Sequence, residues 1–180
     1  MKQTRQMVLA AFFLALGQIL PFFVGQVPQI GSMLLPMHIP VLLCGLICGW
    51  KYGAIVGALC PILRSALFGM PMMFPNAVAM AFELMTYGGV VGYLWATSKY
   101  QCIRALYKCL IPAMIIGRLV WGLVSAILFS MAGQVFTPQI FVAGALLNAI
   151  PGILLQLILI PTVMLALDKT GLVHFEQKTI

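Results

Sequence analysis

The chain has 180 residues, 63% of them hydrophobic and 7% charged, with a formal net charge of +7 and a mean hydropathy of +1.10. A soluble domain needs about a quarter charged residues to wet its surface, so the composition excludes a soluble enzyme, a nucleic-acid-binding domain and a disordered tail. Long, non-alternating apolar runs leave one architecture, an all-α integral membrane protein whose helices form a single domain over residues 1–180.

Proline, glycine and charge divide the chain into six apolar segments. The first is residues 7–24, read as an uncleaved helix rather than a signal peptide, because the sequence beyond it is itself polytopic. A Pro- and Gly-bearing stretch, 25–37, leads to the second segment, 38–50. Thirteen residues rise only about 20 Å against a hydrocarbon core of about 30 Å, so this segment spans incompletely or begins as early as Leu34. The third covers 52–68. A loop over 69–76, rich in Met and Pro, has the composition of a lid: Met70, Met72, Met73 and Phe74 can close over a ligand. The fourth covers 77–97, a polar connector 98–107 follows, the fifth is 108–131, and the sixth is 139–167. No internal repeat is visible.

Eight of the ten Lys and Arg fall at one side of this six-span layout, and the opposite loops carry none. By the positive-inside rule both termini are cytoplasmic. The five cysteines form no CxxC pair and have no His or carboxylate company, so no metal site is expected, and no cofactor.

Two cations, Arg64 and Arg118, and one acid, Glu83, lie inside spans, where each charge costs about 2.5–3.5 kcal/mol or more. At a rise of about 1.5 Å per residue they share a depth with Asn148, roughly 15–20 Å from the cytoplasmic edge. Asn76, Met80, Glu83 and Tyr87 repeat on one helical face, as do Arg118, Trp121 and Ser125, and Gly144, Asn148, Gly152 and Gln156. These faces predict a binding cavity from Arg64, Asn76, Glu83, Tyr87, Arg118, Trp121 and Asn148. Because the third and fourth segments are joined by a short loop, Glu83 is expected to pair with Arg64. Arg118 then keeps its planar fork for the carboxylate of a ligand. His38, before Pro40, is read as a helix-start residue. There are no paired carboxylates, no Ser–His–Asp set, no HExxH and no phosphate-binding GxxxxGK[ST] loop, so the chain is not expected to be an enzyme or to hydrolyse ATP itself.

Ala11 and Ala15 in the first segment, the run Leu35-Pro36-Met37-His38-Ile39-Pro40 before Gly-rich second and third segments, and the stretch 64–76 carry a resemblance. Over nearly its whole length the chain resembles the substrate-binding S components of energy-coupling factor (ECF) transporters. The resemblance implies uptake of a water-soluble vitamin or related micronutrient across a prokaryotic cell membrane. It further implies docking through Ala11 and Ala15 on a membrane coupling subunit served by two cytoplasmic ATPase subunits. The net positive cavity favours an anionic vitamin such as pantothenate; a vitamin B6 form, folate, a queuosine precursor or another vitamin stays open. So do a proton-coupled secondary transporter using Glu83 and a membrane assembly protein without a ligand.

Overall fold

A computed structural model of the chain describes residues 2–24, 35–99, 101–133, 137, 139, 144 and 149–169. Among them are six α-helices: α1 (Lys2–Val24), α2 (His38–Cys48), α3 (Trp50–Phe68), α4 (Val78–Thr97), α5 (Ile103–Met131) and α6 (Ile150–Lys169). Five are long and apolar enough to cross a membrane; α2, with 11 residues, is not. Five of the six expected segments are therefore long enough to span, and the second is the short one that the sequence allowed to span incompletely. Helices α1 and α5 also begin five residues earlier than the apolar runs, at Lys2 and Ile103. Polar residues at the end of a span can continue the helix past the apolar boundary, so hydropathy alone underestimates its length.

The centre of the molecule is α4, which packs on α2, α3 and α5. Helices α2 and α3 are separated by Gly49 alone, whose φ of 92° reverses the chain in one residue. The resulting hairpin lies against α4 along a seam of glycines. A methyl group at Gly53 would strike the Gly45 backbone, one at Gly88 the Gly53 carbonyl, one at Gly57 the Leu84 carbonyl, and one at Gly92 the Gly45 and Trp50 backbones. Small residues let membrane helices approach to backbone contact, where dispersion and interhelical contacts replace the missing hydrophobic drive.

Helix α1 covers α2 and α3 through its Ala10, Phe13, Gly17 and Pro21 face. Gly17 there makes room for Cys60 Sγ. Helix α6 leans on α5, where the Tyr107 hydroxyl donates to the Leu157 carbonyl at 3.1 Å, and touches α2. The segment between α3 and α4 is Gly69–Met72 followed by a wide turn, Met73–Ala77, in which Phe74 is extended (φ −121°, ψ 131°).

Candidate functional site

A cavity of about 450 Å³ opens between the ends of α1, α3 and α4, the middle of α5 and the first turn of α2. Its wall is mostly apolar: Pro21, Leu35, Pro36, Met37, Met70, Pro71, Met80 and Trp121. Polar chemistry enters at two places, a floor of His38, Glu83 and Arg118 and a rim at Arg64.

The floor joins three helices. Glu83 is 1% exposed and sits on the α4 face that also carries Met80 and Tyr87. Its Oε1 lies 3.0 Å from Arg118 Nη1 on α5 and 3.4 Å from His38 Nε2 at the start of α2. Gly117 explains why Arg118 comes so close: the Tyr87 ring rests on it where any side chain would collide. Tyr87 also meets the His38 ring edge-to-face at 5.2 Å and interacts with both Glu83 and Arg118.

These contacts are charge contacts rather than aligned hydrogen bonds. Glu83 Oε1, both His38 ring nitrogens, and Arg118 Nε and Nη2 are enclosed by protein without a hydrogen-bond partner. Buried polar atoms are nearly always paired, because an unpaired one costs about 1–3 kcal/mol. Glu83 Oε1 and His38 Nε2 still have each other and Arg118 as ionic neighbours, which leaves His38 Nδ1, Arg118 Nε and Arg118 Nη2 beside the cavity without a hydrogen-bond partner among the described residues.

The rim is built differently. Arg64 stands one turn beyond Cys60 on the stripe of α3 that faces α1. Its Nη1 donates to the Gln18 backbone carbonyl at 2.9 Å. Its guanidinium carbon lies 5.0 Å from the Phe22 ring centre and 5.4 Å from that of Phe68, and the two rings meet edge-on at 4.8 Å. The Gln18 side chain completes the joint, donating Nε2 to the Cys60 carbonyl at 3.0 Å. Both arginines are partly exposed, but Arg118 is held by a carboxylate and Arg64 has no carboxylate partner among the described residues.

The pairing expected from the sequence is thus reversed. Glu83 takes Arg118, not Arg64, and Arg64 is left without a carboxylate partner among the described residues. The short loop between α3 and α4 does bring those helices together, but the α3 face bearing Arg64 turns toward α1. Of the predicted site residues, Arg64, Glu83, Arg118 and Trp121 line the cavity, and Tyr87 is buried beneath it. Asn76 is exposed in the wide turn and is not in the wall. Asn148 lies outside the described residues. His38 belongs to the floor although it reads as a helix-start residue in the sequence. It does begin α2, and as one of two histidines in the chain, placed in an apolar run, it carried a signal. Leu35, in the left-handed region at φ 50°, closes the turn with its carbonyl accepting from the His38 N–H at 3.0 Å. Met70 and Pro71 reach the cavity from the loop read as a lid. Ala11 and Ala15 are exposed on the outer side of α1, opposite its packed face.

The family model described as ECF transporter, substrate-specific component matches residues 5–164. The chain belongs to that family. No curated protein and no solved structure matches it. As an ECF substrate-specific component the protein is a multi-pass membrane subunit that binds a micronutrient for import and is not itself an enzyme. It works with membrane and ATPase components of the transporter.

Proposed function

We propose that this S component captures an anionic, water-soluble vitamin, pantothenate being the leading case, in the cavity between Arg64 and the His38–Glu83–Arg118 floor. The observation that carries this reading is the charge balance. Glu83 is neutralised by Arg118, so Arg64 stands as the cation of the cavity wall that has no carboxylate partner among the described residues. A carboxylate placed there gains charge-assisted hydrogen bonds from a guanidinium whose plane is already fixed. The hydroxyl and amide groups of the ligand turn toward the unsatisfied floor, and its apolar body lies against Met37, Met80 and Trp121. The cavity volume suits a compact vitamin.

The basic side of the bundle faces the cytoplasm of a prokaryotic cell, which puts the cavity on the outer side, where a scarce nutrient is met. The exposed Ala11 and Ala15 dock on the membrane coupling subunit, and two ATPase subunits supply the energy. A proton-carrier role for Glu83 fits poorly with a carboxylate pinned by a guanidinium. The test is direct. The protein is purified, denatured and its released small molecules are identified by mass spectrometry; pantothenate and panthenol, which differ only in CH2OH for carboxylate, are then titrated into ligand-free protein. Pantothenate should bind and panthenol should bind at least tenfold more weakly, the loss of about one charge-assisted hydrogen bond. Equal affinity for the two, or retention of a neutral molecule, would refute an anionic ligand.

A further inference from the structure

The Arg64 joint ties the cavity to α1. We infer that Arg64 makes the last turn of α1 a sensor of ligand occupancy: the bound anion and the Gln18 carbonyl share one guanidinium, so filling the cavity stiffens α1 against α3. This inference rests on the cavity being the ligand site, as proposed above.

Four observations support it. Arg64 lines the cavity and simultaneously donates Nη1 to the Gln18 carbonyl at 2.9 Å. Its Nε and Nη2 are not among the enclosed unpartnered atoms, in contrast to those of Arg118. Phe22 from α1 and Phe68 from α3 both pack on the guanidinium, so that it is held by the two helices it joins. Finally, α1 is weakest at this point. Pro21, itself in the cavity wall, lacks the N–H that would bond to the Gly17 carbonyl, so the helix has lost a rung there.

An anion on the free donors does not need to break the Gln18 bond. It neutralises the guanidinium, lowers the cost of keeping it against the Phe22–Phe68 pair and removes its incentive to swing into water. Ligand and α1 end are then coupled, and coupling is reciprocal: whatever loosens the α1 end must weaken the ligand by the same factor. In this scheme Phe22 and Phe68 are positioning residues, acting through Arg64 without touching the anion. The helix so controlled is the one whose outer side carries Ala11 and Ala15.

The experiment is hydrogen exchange with mass spectrometry on the full chain in nanodiscs, read at the amides of residues 19–24. The samples compared are ligand-free wild type, wild type with saturating pantothenate, ligand-free Arg64→Gln, and Phe22→Leu and Phe22→Tyr each with and without pantothenate. Binding should slow exchange in this segment by about fivefold or more, the low end of measured couplings between sites, while Arg64→Gln should speed it. Phe22→Leu should weaken pantothenate by the same factor by which it reduces the ligand-induced slowing, and Phe22→Tyr should restore both. Pantothenate binding with unchanged exchange at residues 19–24 would overturn the inference and leave the proposed function standing. If neither pantothenate nor panthenol binds, the proposed ligand fails, and the Arg64→Gln sample alone decides the joint: exchange no faster than wild type removes it.

Discussion

Two arginines enter the same cavity and are held in opposite ways. Arg118, its side chain 12% exposed, is tied to a buried carboxylate and surrounded by polar atoms that lack aligned partners. Arg64 is partly exposed, holds a backbone carbonyl, and lies against an edge-on pair of phenyl rings contributed by different helices. The first arrangement fixes three helices and leaves the guanidinium no freedom; the second keeps a charge available at moderate cost. A cation bound by a carboxylate is neutral to an incoming anion. A cation bound by a carbonyl and aromatic faces retains its full charge, because those partners contribute only dipoles and quadrupoles.

That contrast is broken most severely from the inside. Glu83→Gln removes the acid and strands Arg118 in the interior; loss of one partner of a buried pair costs about 3–5 kcal/mol. The variant is expected to lose most of its folded fraction on thermal unfolding in detergent. Arg118→Gln should fare nearly as badly, and Glu83→Gln combined with Arg118→Met should recover part of the loss. Were Arg118→Gln to unfold like wild type, the floor would not be a structural lock. Next in size is the glycine seam: Gly57→Val forces a side chain into the Leu84 backbone, with an overpacking cost of about 1–3 kcal/mol or more, seen as a lowered unfolding midpoint.

At the rim the expected effects move from stability to affinity. Arg64→Gln should leave the unfolding midpoint within about 1 kcal/mol of wild type, since partly exposed charge contacts contribute little. The same change should weaken pantothenate about tenfold by calorimetry, or about 1.4 kcal/mol. Arg64→Lys should not rescue, because an ammonium cannot hold a carbonyl and a carboxylate in one plane. The smallest effect lies at a distance from both: Tyr107→Phe removes the bond to the Leu157 carbonyl and should lower stability by about 1 kcal/mol without changing affinity.

Hydropathy alone places α3, α4 and most of α1 and α5, because a membrane span is a composition signal that local sequence carries in full. The failures have a physical pattern. The segment 38–50 was visible as too short for a span, but its end at Gly49 depends on backbone geometry and not on hydropathy. The convergence of Arg64, Glu83, Arg118 and Trp121 was legible from helical spacing and depth. Their pairing was not, since depth is one coordinate and the partner of an arginine depends on the rotation of its helix. Arg64 turns toward α1 because Cys60, one turn earlier, seats against Gly17. Nothing within α3 alone reveals that. His38 was visible as an unusual residue, yet only the crossing of α2 over α4 makes it a neighbour of Glu83.

The backbone contact among α2, α3 and α4 also bears on how such a subunit can change its cargo over evolutionary time. Where Gly45, Gly53, Gly57, Gly88 and Gly92 touch neighbouring main chain, no larger residue can be sampled, and that block offers selection nothing to vary. Variation is admissible only at the edges it supports: Pro21 on α1, Met70 in the loop, Met80 on α4 and Trp121 on α5, each of which meets the cavity with a side chain. Members of the family with different cargo should therefore diverge at those four positions while the five glycines stay put. The invariant part of the molecule would then be its scaffold, and its specificity a replaceable lining.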